Sequence, residues 1–499
     1  MKEDSNYMST LQERGGIKQR IMEDTLQAKK RNEEAISRLK DSVSLFEYRE
    51  LVRVGQCGLI WTDALQAALN EHEIVIIPQS DEIYWLDNTV SIPSNRRIEA
   101  TGATIRMSPE YPYVMLRNQH VHDGTYAPID TSDRDSNISI HGGCWDEGSV
   151  KRGKRRYHGE RGSFAGVQTC MLFNNLDHLT ITDITFSHVA SFCVQIGDIR
   201  DGVFENFFFI SCYADGLHIN GNSENLYIRN FSGHVGDDLV ALNMYDWLGS
   251  SINYGPAKNV FCENIHSASD STAKAMRLQP GMFAYRDGTL IDCALRDMYF
   301  RNLSGMFEYK LYYQTPPYRL GTKPEGAGVG SADNLFFEHV EIISERPDYP
   351  DDLPGVGYFG MFFLNSNIGY ISLDHIQYKT TENVSPYTYL VAIGPMSWRP
   401  TEKEDIEVFD PYVSATVDIL NMKHIFINGT QTDDVTKILK VIEFDDINQD
   451  GFSSGKGKVN HIYIDGVTVS QTGKSHEKRS SSVPGLFEKS LGRDDGKRS

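Results

Sequence analysis

Three aspartates are the residues of this sequence whose types and spacing most strongly indicate chemistry. Asp215 precedes a glycine in the segment YADGLHIN, and Asp237 and Asp238 follow a glycine in the segment GDDLVALN. Asp215 and Asp238 are 23 residues apart. Neighbouring carboxyl groups can hydrolyse a glycosidic bond, because one protonates the leaving oxygen while another activates water. The motifs therefore predict acid–base chemistry on carbohydrate; the alternative is that both are ordinary turn sequences.

A repeated strand pattern predicts how these aspartates come together. A polar residue precedes a short alternating strand at 137–140, 178–181, 202–206, 225–230, 259–264 and 297–302, with weaker copies at 334–337, 370–373 and 461–464. The shortest intervals are 24 and 23 residues, and the later ones contain insertions. Such spacing is typical of a solenoid, because only the strands must stay in register. We predict an all-β fold, a right-handed parallel β-helix with at least eight coils. Asp215 and Asp238 would then lie about 5 Å apart, exposed with Asp237 in one groove.

Three segments are predicted along the chain. Residues 1–50 form an N-terminal helical arm, residues 51–470 the β-helix catalytic domain, and residues 471–499 a polar, disordered tail. Apolar residues at helical spacing in the arm predict a helix that packs across the main domain or mediates homo-oligomerisation. A short helix is also predicted at 62–70, capped by Thr62 or Asp63.

Composition excludes several classes of function. The formal net charge of −19 argues against a nucleic-acid partner, and no apolar run approaches the 18 residues typical of a membrane span. The first six residues lack the basic and apolar regions of a secretory signal, which predicts a cytoplasmic protein. Seven scattered cysteines without a C-x-x-C pair predict reduced thiols. The aspartates lack the spacing of a calcium loop, so we expect no metal and no other cofactor.

The two acidic motifs resemble those of the polygalacturonase-like glycoside hydrolases, family 28 and its relatives in the pectin-lyase-fold group. That family has Asn-Thr-Asp-Gly, Gly-Asp-Asp one coil later, then Gly-His-Gly and Arg-Ile-Lys. Asp215-Gly216 matches the second half of the first motif, and Gly236-Asp237-Asp238 matches the second in full. The resemblance implies that Asp237 is the general acid, and that Asp215 and Asp238 position water in an inverting reaction.

Two departures from the family pattern concern the substrate. Lys274 stands in the place of the family's histidine, and Arg277 follows it in the same segment. Lys310 is the one cation left at the position of Arg-Ile-Lys, a pair that the family associates with a uronic-acid carboxylate. Both uronic acids and neutral sugars therefore remain open as substrates. Alternatively, Arg277 and Lys310 pair with the aspartates for structural reasons.

Further candidates for substrate binding lie beside the acidic motifs. His218 follows Asp215 by three residues, so regular strand alternation would place it on the opposite face. His234 precedes the second motif at a turn. Aromatic rings stack on sugar faces, although each ring alone can also be loop packing. The aromatic candidates are Tyr245, Trp247 and Tyr312, which all lie in insertions that follow the coils with the two acidic motifs.

The function that these residues predict is cytoplasmic hydrolysis of a short oligosaccharide by an inverting glycoside hydrolase. Insertions at 244–258 and 280–297 would close one end of the groove and make the enzyme exo-acting. Proteins of one fold differ in reaction, so a fructan-processing transglycosylase, a polysaccharide lyase and an epimerase remain alternatives. A third possibility is a non-catalytic, glycan-binding β-helix of the tailspike type.

Overall fold

Parallel strands stacked in register dominate the computed structural model of the chain. It describes residues 2–111, 113–153, 169–246, 250–268, 274–285, 287–307, 330–344, 359–364, 366–380, 388–394, 415–441 and 457–471. For residues 2–12, 274, 306, 307, 344, 359 and 388 it describes the backbone alone. The helices are α1 (Lys2–Ser37), α2 (Thr62–Glu71), α3 (Val435–Ile438) and a 3-10 helix (Leu45–Leu51).

The strands of the first half are β1 (Ser42–Ser44), β2 (Arg53–Gly55), β3 (Gly58–Ile60), β4 (Ile74–Ile76), β5 (Tyr84–Leu86), β6 (Val90–Ile92), β7 (Arg96–Glu99), β8 (Thr104–Met107), β9 (Leu116–Asn118), β10 (Asp135–His141), β11 (Cys144–Asp146), β12 (Thr169–Ser187), β13 (Phe192–Ile210), β14 (Leu217–Ile219), β15 (Ser223–Gly233) and β16 (Asp238–Asn243). Those of the second half are β17 (Ala257–Ser267), β18 (Lys274–Gln279), β19 (Gly281–Ala284), β20 (Leu290–Cys293), β21 (Leu295–Phe307), β22 (Ser331–Ser344), β23 (Phe359–Leu364), β24 (Asn367–Thr380), β25 (Thr388–Ile393), β26 (Ala415–Ile427), β27 (Thr430–Gln431), β28 (Leu439–Val441), β29 (Gly457–Ile464) and β30 (Val467–Val469).

One column of buried side chains runs along the axis of the stack. Each member pairs in register with the next, and each belongs to the same apolar core. The column consists of Val75, Ile98, Ile140, Ile181, Phe204, Ile228, Cys262, Phe300, Phe337, Leu373, Met422 and Ile464. Stacking buries the apolar face of each coil and satisfies its strand edges. The predictions of a right-handed parallel β-helix and of at least eight coils are confirmed.

The polar residue of the sequence repeat lies at a corner of the coil in four successive copies. Asn225, Asn259, Asp297 and Asn334 all have φ between 53° and 58°, a left-handed conformation that asparagine and aspartate tolerate better than most residues. Their side chains also link the coils: the Asn259 amide donates to Asn225 Oδ1 at 3.1 Å, and the Asn334 amide to Asp297 Oδ1 at 2.6 Å. The repeat is therefore explained by corner geometry together with a hydrogen-bonded ladder.

Helix α1 packs lengthwise on the outside of the stack. Ile21 is buried against an outward column formed by Val203, Tyr227, Phe261, Tyr299, Phe336 and Tyr370. Polar contacts fix the register of the helix, because Arg31 forms an ion pair with Asp201 at 2.6 Å and Lys29 with Glu205 at 2.6 Å. The predicted packing of a helix across the main domain is confirmed. An oligomer through this helix stays a prediction.

Helix α2 packs on the same core as the first coils. Its buried residues include Ala64, Leu65 and Leu69. The predicted cap is wrong: Trp61 is the N-cap residue, and no side chain caps the helix. Thr62 instead donates its hydroxyl to Asp87 at 2.7 Å.

All seven cysteines are free thiols, as predicted. Five of them are buried, and burial raises the pKa of the Cys193, Cys262 and Cys293 thiols. Among the described helices, none has the length and apolar character required to cross a membrane.

Candidate active site

The site residues lie where three parallel strands follow one another in the stack. Strand β14 pairs with β16, and β16 pairs with β18. Leu217, Val240 and Met276 form one inward row of this set and belong to the apolar core. The neighbouring outward row contains His218 and Arg277 with a small residue, Ala241, between them. Strand alternation thus places charged side chains on the outer face.

Glycines allow the two acidic turns to approach each other closely. A Cβ atom on Gly216 would lie 2.6 Å from the carbonyl oxygen of Leu239. A Cβ atom on Gly236 would lie 2.5 Å from the carbonyl oxygen of Tyr213. Both contacts are shorter than real Cβ atoms tolerate. The glycines of the Asp-Gly and Gly-Asp-Asp motifs are therefore required by the packing of adjacent coils.

The structure brings the three aspartates together. Each offers a carboxylate oxygen, and these atoms lie within 4.8 Å of one another. The backbone N–H of Asp238 donates to Asp215 Oδ1 at 3.2 Å, and the N–H of Gly216 donates to the carbonyl oxygen of Asp238 at 2.8 Å. The expected separation of about one coil spacing between Asp215 and Asp238 agrees with these contacts.

The aspartates differ in exposure, which corrects the prediction that all three are open to a groove. The side chain of Asp237 is 21% exposed, whereas those of Asp215 and Asp238 are 2% and 0% exposed. Asp215 and Asp238 are packed at the contact between coils, and Asp237 lies in the turn just before β16. Only Asp237 can therefore touch a ligand without a rearrangement of the site.

His218 is an internal partner of Asp215. Its Nδ1 lies 2.6 Å from Asp215 Oδ2, its Nε2 lies 3.0 Å from Asp246 Oδ2, and its ring stacks on Phe192 at 3.9 Å. Burial lowers the pKa of this imidazole, but the hydrogen bonds with the two carboxylates outweigh burial and raise the pKa to about 9. His218 is therefore an imidazolium at neutral pH, with both ring nitrogens donating.

The predictions for His218 are wrong in two respects. It does not lie on the face opposite Asp215, because β14 begins only at Leu217 and strand alternation does not extend back to the aspartate. It is also 1% exposed, so it cannot contact a sugar directly. His218 is instead a buried partner of the Asp215 carboxylate.

Arg277 bridges the other two aspartates. Its Nη2 lies 2.8 Å from Asp237 Oδ1, and its Nε lies 2.9 Å from Asp238 Oδ2. The small side chain of Ala241 leaves room for this reach along the outward row. A second guanidinium, that of Arg152, lies 3.4 Å from Asp237 Oδ2 and is 53% exposed. Charged partners thus surround the carboxylates on the strand side and on the solvent side.

This arrangement bears on metal binding at the three carboxylates. A hard divalent cation such as Ca²⁺ needs several oxygen ligands with uncompensated charge. Here the guanidinium of Arg277 already pairs with Asp237 and Asp238, and the imidazole of His218 pairs with Asp215. The residues therefore fit an internally compensated cluster better than a cation site.

The remaining sequence candidates have mixed outcomes. His234 is half-buried at its turn and, among the described residues, makes no hydrogen bond or ion pair with the aspartates. Tyr245 is 3% exposed, so its interpretation as a platform for a sugar ring is wrong. The backbone of Lys274 lies opposite Asp238 in the paired strands. Lys310, Trp247 and Tyr312 lie outside the described residues.

Tyr245 has a structural role in an aromatic cluster. It packs against Tyr254 and Phe283, and these two rings stack at 3.7 Å. Phe283 belongs to the hairpin formed by β19 and β20, so the cluster joins the two insertions after the acidic coils. Tyr285 extends it by donating its hydroxyl to the carbonyl oxygen of Gly124 at 3.0 Å.

Asp246 and Arg152 are site residues that the sequence interpretation missed. Asp246 follows the end of β16, and Arg152 lies in the chain before β12, far from both motifs in sequence. The sequence signal that was available for Asp246 is its position just after the strand that follows the Gly-Asp-Asp motif. Arg152 had a weaker signal, the concentration of basic residues at 151–156 in an acidic chain.

Comparison with known proteins gives structural similarity alone. No family model matches the sequence, and no curated protein matches it. A hyperthermoactive exopolygalacturonase from Thermotoga maritima is similar with a TM-score of 0.48 and 11% identity, over 88% of this chain and 97% of that one. The family 28 exopolygalacturonase of Yersinia enterocolitica has a TM-score of 0.42 and 11% identity, over 85% and 78%. A tailspike protein of E. coli bacteriophage HK620 has a TM-score of 0.47 and 11% identity, over 86% and 67%. The chain is thus similar in structure, at low identity, to family 28 exopolygalacturonases and to tailspike proteins.

Proposed function

We propose that this protein is a glycoside hydrolase that cleaves a glycosidic bond in a short oligosaccharide. The observation that carries the proposal is the cluster of Asp215, Asp237 and Asp238, whose carboxylate oxygens lie within 4.8 Å of one another with one member exposed. Hydrolysis of a glycoside requires an acid for the leaving oxygen and a base for water, and carboxyl groups can supply both.

Asp237 is the proposed general acid, because it is the one aspartate of the cluster that reaches solvent. Two neighbouring carboxylates favour its protonated form, whereas the guanidiniums of Arg152 and Arg277 favour its ionised form. The role therefore requires that a bound sugar displace Arg152, the more exposed of the two arginines. Loss of that contact, together with desolvation under the sugar, would favour uptake of a proton from solvent by Asp237.

Asp215 and Asp238 are the proposed bases that hold the water. His218 places a positive charge 2.6 Å from an Asp215 oxygen, and Arg277 places one 2.9 Å from an Asp238 oxygen. Neither has the exposure needed to attack a sugar carbon. The proposal therefore assigns the attack on that carbon to a water molecule held by the two carboxylates, which would invert the anomeric configuration. The proposal also includes exo action in the cytoplasm, with the aromatic cluster of the two insertions supporting one end of the groove.

A reducing-sugar assay across small oligogalacturonides, fructans and neutral oligosaccharides tests the proposal. We expect turnover of at least one class, release of sugar from one chain end, and inversion of the anomeric configuration in NMR spectra recorded during the reaction. Retention would contradict the water mechanism. Products with an unsaturated sugar ring would indicate a lyase, and products without a new reducing end a transglycosylase or an epimerase.

A glycan-binding protein without catalysis is the second candidate, and one observation favours it. Arg277 forms ion pairs with Asp237 at 2.8 Å and with Asp238 at 2.9 Å, so its charge compensates both carboxylates within the protein. If a sugar leaves these ion pairs intact, the surface binds glycans without cleaving them. Binding of an oligosaccharide by calorimetry, with no product after prolonged incubation, would support this second function over the first.

A further inference from the structure

A second column of corner residues changes its chemistry toward the C-terminal end of the stack. Five successive coils have Asp183, Asn206, Asn230, Asn264 and Asn302 at this corner, all with positive φ. Each asparagine amide donates to the preceding member at 2.7–2.8 Å. The next three coils have His339, His375 and His424 there, also with positive φ. Because asparagine fits this corner, backbone conformation alone does not require histidine.

The three imidazoles form a stack on the surface. The ring centroids of His339 and His375 lie 4.6 Å apart, and those of His375 and His424 lie 4.2 Å apart. Asp374 lies beside the last two rings: its Oδ1 is 2.8 Å from His375 Nδ1 and 2.9 Å from His424 Nδ1. One carboxylate oxygen thus faces two imidazole nitrogens from neighbouring coils.

Hydrogen bonding does not fully account for this cluster. His424 Nδ1 and Asp374 Oδ1 have the geometry of a hydrogen bond. His375 Nδ1 is shielded from solvent and, within the described part of the chain, makes no hydrogen bond despite its distance of 2.8 Å from the carboxylate. A shielded ring nitrogen without a proton partner is costly. A metal ion would satisfy it, because coordination uses the lone pair and needs no shared proton.

We propose that Asp374, His375 and His424 bind a divalent transition-metal ion of the zinc type. Two imidazole nitrogens and one carboxylate oxygen are a common zinc ligand set, with bonds of about 2.0–2.2 Å. Tetrahedral geometry then places ligand atoms roughly 3.3 Å apart, a few tenths of an ångström beyond the distances that involve Asp374. The side chains of Asp374, His375 and His424 are 25%, 43% and 46% exposed, so the cluster lies at the protein surface, and a small rotation of the His375 ring would open its shielded Nδ1 to an ion.

The proposed ion would link two neighbouring coils. Asp374 and His375 lie on β24, and His424 lies on β26. Binding would require the His424 tautomer that has its proton on Nε2, so the Nδ1 proton leaves to solvent while Nε2 takes one up. The two free Nδ1 atoms and one Asp374 oxygen would then form two metal–nitrogen bonds and one metal–oxygen bond. Lys423 is paired with Asp374 in the strand register and is a neighbouring cation that would oppose binding. This site is separate from the cluster of Asp215, Asp237 and Asp238 and does not depend on the proposed hydrolase activity.

Calorimetric titration of the full-length, tag-free protein with ZnCl₂ tests the proposal. We expect one ion per chain and a higher melting temperature with zinc. The double variant H375N/H424N should fold normally, since asparagine occupies the same corner in earlier coils, and should lose affinity by roughly a hundredfold or more. His72→Asn is the matched control, because His72 makes a single imidazole–carboxylate pair with Asp41 at the same 2.9 Å. Absence of zinc binding by the wild type at millimolar concentration would overturn the proposal, and so would equal affinity in the double variant.

Discussion

Replacement of His218 by glutamine should remove a pH-dependent part of the stability of this protein. The folded state raises the pKa of His218 from 6.5 to about 9, through its hydrogen bonds with Asp215 and Asp246 and against the effect of burial. A raised pKa means that folding strengthens proton binding, so the contribution is complete below pH 6.5. It is lost as the pH rises through 9. A change from 6.5 to about 9 corresponds to about 3 kcal/mol.

Urea unfolding between pH 5.5 and 9.5, followed by intrinsic fluorescence, measures this contribution. The free energy of unfolding of the wild type should fall by about 3 kcal/mol more than that of His218→Gln between pH 6.5 and 9. The variant should also be less stable near pH 6, because two buried carboxylates lose their cation. His72→Gln, in an exposed pair, is the control and should follow the wild type. Parallel curves for the wild type and His218→Gln would refute the reasoning.

Three further predictions concern packing and charge. Gly236→Ala places a Cβ 2.5 Å from a carbonyl oxygen of the adjacent coil, so it should cost about 1–3 kcal/mol in urea unfolding and lower any turnover. Ile21→Ala should cost about 2–4 kcal/mol by opening the contact of α1 with the stack, whereas Leu26→Ala, at a side chain 42% exposed, should change stability by less than about 0.5 kcal/mol. Lys274→Met should move the acidic limb of the pH–rate profile upward by about one unit, because the proposed role of this lysine is to stabilise an ionised aspartate, and an unchanged limb in a normally folded variant would contradict that role.

The stack and the meeting of Asp215 with Asp238 could be predicted because both depend on spacing alone. A minimal coil of 23 residues repeats the same position on the next coil, and the register of β14 with β16 agrees with that spacing. Leu217 and Val240, which are 23 residues apart, are paired in this register and both belong to the apolar core. These properties are local or periodic, so a single sequence contains them.

Exposure and long-range partners could not be predicted in the same way. Burial of Asp215 depends on how closely its turn approaches the next coil, and burial of Tyr245 depends on a hairpin that follows later in the chain. The contact of Arg152 with Asp237 joins residues 85 positions apart through an insertion without periodicity. Pairing of His218 with Asp246 depends on the chain direction after β16, which no spacing indicates.

The turnover of an Asp237→Asn variant is the measurement that tests the proposed hydrolase most directly. Asparagine keeps an oxygen for Arg277 but cannot donate a proton as an acid, so turnover of the best oligosaccharide should fall by about 10²–10⁴-fold. Binding of that sugar, measured by calorimetry, should stay within a few-fold of the wild type. Asp183→Asn, at a corner where neighbouring coils have asparagine, is the matched control and should keep full activity. Undiminished turnover in Asp237→Asn, with normal folding, would contradict the assignment of Asp237 as the general acid.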